Sequence, residues 1–378
     1  MNGYLGIPPV SCRRLMHMLK NVMSRCDRTG HVAVVFQRRY GEKKDGSMHF
    51  CVDYRKTNKL IKKDHFPLPK IDTCLDMPYG STWFSSCDLR QGYWQTVIED
   101  EDRDKTAFVT WKGQWRFKVL SFGLCNTPSQ FASTMELVLA GLTYDICLIY
   151  LDDILVCSRT FEEHCQRLAQ VFTWLERQTM RLKASKCHLF QPKVTFLGHV
   201  ISEAGIECDP EKTTSISYWP RPKTLTDVRT FCGLAFYYRA FVPGFAKIAH
   251  PLHNLTRKNA AFLWTDACEP TFLELKACVT SLPVLVAPND DGIYVLDTDA
   301  SDFALGAVLQ QYQVDGTLCV IAYASCALTA PECRYCITQK ELLGVVFGLK
   351  KYRQHLLGRD IVVRTDHMAL TYLLEAYA

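Results

Sequence analysis

The spacing of apolar residues along this chain changes several times, and each change marks an element. From His31, "HVAVVF" is a short apolar run, "KKDGS" holds an Asp-Gly turn, and "MHFCVDY" alternates, which together predict a hairpin. "TWFSSCDL" (82–89) reads as a strand ending at Asp88. "QTVIED", "KTAFVTW" and "QWRFKVLSFG" read as three more, with a turn at Lys112-Gly113. Pro128 opens a helix, because a first-turn position has no use for the missing N–H. In the helix predicted over 160–178, Phe161, Cys165, Leu168, Phe172 and Leu175 recur at steps of four and three. Thr160 and Glu163 have capping-box spacing at its start.

Further on, "VTFLGHVIS" predicts a strand or hairpin and "YWPRPKTLTD" a proline-punctuated joint. Helical stretches follow around 224–238 and 245–257, and another in "AFLWTDACEPTFLELKACVTS", ending before Pro283. From 293 the strand period returns. "IYVLDTDAS", "FALGAVLQQY" and "LCVIAYAS" make a meander, then come a helix from Thr338 and the strand "DIVVRTD", a β-β-β-α-β order. Leu342, Val345, Val346 and Leu349 are the expected buried face of that helix, which puts Glu341 at its margin. The change of pattern over 262–290 predicts a domain boundary. The first 30 residues show no period and predict no element.

One stretch conflicts with its own pattern. "ICLIYLDDILVC" (146–157) sets two adjacent aspartates in an apolar run. In a continuous strand Asp152 and Asp153 would point to opposite faces, and one would be buried. A hairpin costs less, with Ile146–Leu151 running up, the aspartates at the tip and Ile154–Cys157 running back. Two carboxylates at one rim call for positive charge. If the strand ending in Asp88 is a neighbour, three hard oxygen ligands converge, which suits Mg²⁺ or Mn²⁺. Two such ions, about 3.5–4 Å apart, suit in-line phosphoryl transfer. A second set is Asp299 on the first strand of the meander, Glu341 early in the helix and Asp366 at the end of the last strand. Glu341 keeps a plainer alternative, since Thr338-x-x-Glu341 is itself a capping-box spacing.

Composition narrows the setting. A chain of 378 residues, 48% apolar, is long enough for two or three globular domains. No apolar run reaches the roughly 18–20 residues needed to cross a bilayer. The N-terminus lacks a signal-peptide pattern, so an intracellular protein without membrane partners is expected. The 18 cysteines are scattered singly, as reduced thiols are. Cys333-x-x-Cys336 lacks a second pair at ligand spacing, so zinc is not expected. A net charge of +5 does not by itself point to nucleic acid. The basic clusters at 37–46 and 53–63 suit either phosphate contacts or a solvated face.

Five segments in register, "HFCVDYRKTNK", "FSSCDLRQGYWQ", "FGLCNTPSQF", "YLDDILV" and "FLGHVIS", resemble the reverse transcriptase of gypsy-class LTR retrotransposons, from about residue 31 to the end. The resemblance implies an α+β right-hand polymerase followed by a ribonuclease H-like α/β domain. Fingers and palm would span 31–200, thumb and connection 201–261, and the ribonuclease H-like domain 262–378. It implies RNA-directed DNA synthesis from a primer 3′-hydroxyl, with two Mg²⁺ or Mn²⁺ ions per complete active site. Asp88, Asp152 and Asp153 would be the catalytic and metal-binding carboxylates. Tyr93 would lie under the deoxynucleotide sugar, Phe122 and Gly123 along the nucleotide pocket, Tyr150 and Leu151 beside the primer end, and Lys43 on the triphosphate. Phe196, Leu197, Gly198 and His199 would form the primer grip. Asp299, Glu341 and Asp366 would be the metal-binding carboxylates of the ribonuclease H-like domain. Partners would be an RNA template, a DNA or RNA primer, dNTPs, an RNA/DNA hybrid and other parts of a Pol polyprotein, in a cytoplasmic particle or the nucleus.

The chain departs from that family in three places. His49 stands where an arginine is expected on the triphosphate, and lacks its bidentate fork. "QRRYGE" separates "VVF" from "KKDGS". The ribonuclease H pattern stops twelve residues past Asp366, so a truncated nuclease is expected. A decayed copy that binds nucleic acid without catalysis is the alternative these departures favour. Arg229, Tyr237, Tyr238 and Arg239, in the thumb-like segment, fit a duplex track or ordinary core and surface roles equally.

Overall fold

In the computed structural model the described residues are 26–28, 38–42, 48–78, 80–110, 113–257, 262–289 and 292–371. They divide into two compact units. One takes in residues up to 70, 85–156 and 162–189; the other takes in 71–84, 157–161 and 190 onward.

The first unit is built on most of a four-stranded sheet, the first two residues of one strand and the last two of two others being grouped with the second unit. Its strands are β4 (Trp83–Asp88), β7 (Cys147–Tyr150), β8 (Asp153–Ser158) and β9 (His188–Gln191), in the order β7-β8-β4-β9. β7 and β8 are buried along nearly their whole length, from Cys147 to Ile149 and from Ile154 to Ser158. That accounts for the apolar run around the two aspartates. Two smaller sheets accompany it: β2 (Arg38–Glu42) with β3 (Met48–Val52), and β1 (Cys26–Arg28) with β6 (Gly113–Phe117) and β5 (Phe108–Thr110). Val52, Tyr54, Trp94, Phe108 and Phe117 form one core cluster, and Tyr54 Oη donates to Thr106 O at 2.9 Å.

Several expectations shift here. The partner of β3 is "RRYGE", in register from Arg38↔Val52 to Glu42↔Met48, because pairing overrides weak strand propensity. "HVAVVF" and "KKDGS" lie outside the described residues. "QTVIED" is no strand. It contributes one bridge, Val97↔Val119, and a helical turn starts at Asp100, in an acidic stretch with poor strand propensity.

The helices of this unit are α2 (Thr127–Val138), with Pro128 in its first turn, and most of α3 (Phe161–Arg177); α1 (Ile71–Asp76) belongs to the second unit. The buried stripe of α3 is His164, Leu168, Val171 and Leu175, rotated from the predicted one, and Cys165 is exposed. A polar residue takes a core position because His164 Nε2 meets the buried Ser85 Oγ at 2.7 Å.

The second unit carries a hairpin meander, β10 (Lys193–Phe196), β11 (His199–Ser202) and β12 (Gly205–Cys208). Four helices follow: α4 (Pro210–Ser217), α5 (Leu225–Tyr237), α6 (Phe245–Leu255) and α7 (Cys268–Thr280). Thr224 and Asp227 form a capping box at the start of α5. The last sheet has the order β15-β14-β13-β16, from β13 (Tyr294–Ala300), β14 (Ala304–Tyr312), β15 (Leu318–Ala327) and β16 (Ile361–Thr365). β13 and β16 are parallel, joined through helix α8 (Ile337–Lys351).

The residues that α8 buries fully are Lys340, Glu341, Gly344 and Gly348; of the predicted Leu342, Val345, Val346 and Leu349, Leu349 packs partly buried against the core, while Leu342 is 43% exposed. Glycine is the reason. A Cβ on Gly348 would sit 3.1 Å from Leu296, so the helix lies closer to β13 than a leucine face allows. Its capping box is Cys336 with Gln339, not Thr338 with Glu341.

Candidate active site

Asp88 ends β4. The β7–β8 hairpin closes with Tyr150 opposite Asp153, so the tip is Leu151–Asp152 and Asp153 opens β8 instead of sharing the tip. Leu151 takes a left-handed φ of 54°, an uncommon conformation for a non-glycine residue and one that collects at functional sites. Leu89 N donates to Asp152 O at 3.2 Å, which draws the end of β4 against the tip. The polymerase-like sequence pattern thus meets in space as three neighbouring carboxylates.

Their electrostatics are unresolved by protein groups alone. Asp152 Oδ1 is buried and accepts no hydrogen bond among the described residues. Burial, then the charges of Asp88 and Asp153, push the Asp152 carboxyl up to about 6, against an opposing pull from Lys186. Asp153, exposed at the start of β8, is held above its ordinary value by partial desolvation and then by Asp88. Lys186 Nζ lies 2.5 Å from Asp88 Oδ2, and that hydrogen bond raises the lysine.

Two residues here escaped sequence reasoning. Lys186 had no signal, being one cation in a basic loop. Gly92 had a faint one, a glycine beside aromatics in "RQGYW". A Cβ on Gly92 would stand 2.4 Å from Asp152 Oδ1 and 2.8 Å from the Phe131 ring, so only glycine leaves the carboxylate its place.

Among the described residues no three His, Cys, Asp or Glu side chains close on one metal position. At Asp88 the cationic partner is Lys186. An unpartnered buried oxygen, a carboxyl raised by like charges and an all-oxygen donor set nonetheless fit a hard divalent cation.

Around this cluster, the Tyr93 ring centre lies 5.0 Å from Phe122 and 5.1 Å from Phe131. Burial and then the Asp152 charge raise its phenol. Gly123 has φ 96°, where a Cβ would press on Val52 O at 3.3 Å. Asn58 fixes this segment, donating to Gly123 O at 2.8 Å and accepting from Cys125 N at 2.9 Å. Asn126 ties on from Nδ2 to Lys62 O at 2.9 Å. His49 stands opposite Gly41 in the β2–β3 register, and Lys43 lies outside the described residues.

In the second unit, Phe196 and His199 pair across a two-residue turn, with Leu197 at φ 48° and Gly198 at φ 68°. His199 is buried, its ring stacked on Phe241 at 5.5 Å. The other carboxylate set follows from the parallel register. Thr298 pairs with Thr365, so the next residues, Asp299 and Asp366, leave two neighbouring strands at the same level. Glu341 is 3% exposed on the close-packed face of α8, and its Oε2 has no partner among the described residues. Burial, then Asp366 and Asp299, raise its carboxyl, partly offset by a backbone hydrogen bond from Ala300. These donors fit a divalent cation on the same grounds. Thr338, displaced from the cap, meets His367 Nε2 at 2.9 Å. Cys333 and Cys336 are exposed free thiols.

The family described as reverse transcriptase (RNA-dependent DNA polymerase) matches residues 42–201, and the RNase H-like domain found in reverse transcriptase matches 264–363. The retrovirus-related Pol polyprotein from transposon 297 of Drosophila melanogaster is 36% identical over 324 residues, 85% of this chain and 30% of that protein. The polyprotein of transposon Tf2-3 of Schizosaccharomyces pombe is 31% identical over 330 residues, 87% of this chain and 25% of that protein. The chain spans under a third of the length of either. A solved structure of the foamy viral protease-reverse transcriptase dRH in complex with double-stranded DNA aligns with a TM-score of 0.81 at 25% identity. It covers 95% of this chain and 62% of that one. The same viral protein in complex with an RNA/DNA hybrid aligns at 0.80 and 23% identity, over 96% of this chain and 49% of that one. These likenesses bear out the mixed α/β architecture expected from the sequence, with an RNase H-like domain toward the C-terminus. No helix among the described residues is long and apolar enough to cross a membrane.

Proposed function

The chain belongs to the reverse transcriptase family, as the reverse transcriptase and RNase H-like region of a gypsy-type LTR retrotransposon Pol polyprotein, and from that premise we propose that it extends a primer on an RNA template. The observation that carries this is the buried Asp152 Oδ1, unpartnered among the described residues, beside Asp88 and Asp153. Asp88, Asp152 and Asp153 would hold Mg²⁺ or Mn²⁺. When bound, such ions activate the primer 3′-hydroxyl and neutralise the departing pyrophosphate. The protein's own part is positional. Gly92 keeps Asp152 in place, the rigid β7–β8 hairpin fixes the tip, and Tyr93 on its two phenylalanine supports walls the sugar position against a 2′-hydroxyl. Phe122 and Gly123 line the nucleotide pocket, held by Asn58; Tyr150 and Leu151 flank the primer end.

Asp299, Glu341 and Asp366 would form a second cation site, acting on the RNA strand of an RNA/DNA hybrid. Primer extension with dNTPs on an RNA template, in Mg²⁺ or Mn²⁺, tests the main reading. Wild type should incorporate at least about a hundredfold faster than Asp152→Asn. Equal incorporation, or none from either, rejects polymerisation and leaves a nucleic-acid-binding role.

A further inference from the structure

The turn between β10 and β11 is held in an unusual way. Carbonyl oxygens at a hairpin tip ordinarily face water, but here each of the two accepts two protein hydrogen bonds. Leu197 O receives the Tyr237 hydroxyl and His199 Nδ1, the latter at 2.8 Å, which fixes the proton on Nδ1. Gly198 O receives the Tyr238 hydroxyl at 3.1 Å and Asp209 N at 3.2 Å. Both tyrosines stand at the C-terminal end of α5, forty residues on, so the tip of one element is fastened by another. Leu197 is thereby kept at φ 48°, a left-handed backbone that a leucine rarely adopts unaided. With four donors, both carbonyl dipoles are tied down, and a carbonyl swung outward would repel a phosphate backbone.

We propose that Tyr237 and Tyr238 are positioning residues for the primer, whose hydroxyls fix the Leu197–Gly198 turn in the one backbone shape that receives the primer strand. The proposal rests on reading residues 196–199 as the primer grip. The two tyrosines divide the work by burial. Tyr238 is 1% exposed and its ring also holds the fold together, whereas Tyr237 is 40% exposed and its hydroxyl can be removed with little loss of core. Tyr237 is therefore where positioning separates from folding.

The test uses Tyr237→Phe, with Gly198→Ala as a reference that strains the turn itself, since alanine is disfavoured at φ 68°. The probe is a fluorescein-labelled DNA primer annealed to an RNA template. Tyr237→Phe should melt within about 2 °C of wild type, as expected when a part-exposed side chain loses one hydrogen bond. Amide hydrogen exchange over 194–202 should be faster, and the primer–template dissociation constant and KM should rise about three- to tenfold. kcat at saturating primer–template and the KM for dNTP should not change. Wild-type exchange and binding in Tyr237→Phe, with binding weakened in Gly198→Ala, would overturn the clamp and spare the primer-grip reading. Faster exchange in both variants with wild-type binding in both would remove the primer-grip reading and the proposal with it.

Discussion

The two carboxylate clusters reach the same condition by different routes. In the first unit a tight β-hairpin delivers Asp152 to a strand end, and one glycine leaves room for it. In the second, two parallel strands deliver Asp299 and Asp366 at one level, and a glycine-faced helix presses Glu341 toward them. Each cluster ends with one buried carboxylate oxygen lacking a partner among the described residues, Asp152 Oδ1 and Glu341 Oε2. They differ in their cationic neighbours. The first has the part-exposed Lys186 on Asp88, while Lys340, buried beside Glu341 in sequence, is engaged by Asp302 at 2.9 Å. On the proposed reading, a metal entering the first site would compete with Lys186 for Asp88. Two folds can thus leave an acidic group unsatisfied in the same way while giving it different cationic surroundings.

The largest effects should come from the unpartnered oxygens. Asp152→Asn is expected to abolish primer extension and, in EDTA, to raise the melting temperature, because the substitution removes a buried charge among like charges. Glu341→Gln should do the same for hybrid cleavage and metal-free stability. A fall in melting temperature for either would break the symmetry between the sites. Next come the glycines. Gly92→Ala should cost about 1–3 kcal/mol in urea unfolding and most of the extension activity, since its Cβ meets Asp152 Oδ1 at 2.4 Å. Gly344→Ala, whose nearest neighbour is Asp299 O at 3.7 Å, should fold and melt like wild type.

The pH dependence is smaller. Asp152 is raised from an ordinary 3.8 to about 6 in the folded chain, so the folded state holds this proton more tightly. In EDTA, stability from this group is present below about 4 and is lost as pH rises toward 6. Metal binding runs the opposite way, weakening as pH falls through about 6 because the proton competes. Melting curves from pH 4 to 8, with and without Mg²⁺, should show opposite slopes, both shallower in Asp152→Asn, with Asp153 and Glu341 still contributing. Lys186→Met gives the smallest change. It should lower metal-free stability by about 1 kcal/mol or less, as for a part-exposed ion pair, and tighten Mn²⁺ binding at the first site only.

Legibility followed the same division. Asp152 and Asp153 were readable because two charges interrupt an apolar run, a local contradiction that only a hairpin resolves. Asp299 and Asp366 were readable from strand order. The surroundings of Glu341 are harder to read: the apolar pattern points to Leu349, which does pack on the core, and to Leu342, which is exposed, while the fully buried positions include Gly344 and Gly348, and glycine gives no hydrophobic signal. His164 took a core position for a related reason, its partner Ser85 lying far away in sequence. Lys186 and the tyrosine clamp depend on contacts across 98 and 40 residues, which no local period records.

The central claim is that Asp152 Oδ1 and Glu341 Oε2 mark two cation positions. Mn²⁺ titration followed by electron paramagnetic resonance at pH 7.5 tests it without needing turnover. Wild type should bind Mn²⁺ at both clusters, Asp152→Asn and Glu341→Gln should each lose one class of site, and the double variant should lose both. Unchanged Mn²⁺ binding in the double variant would contradict the account.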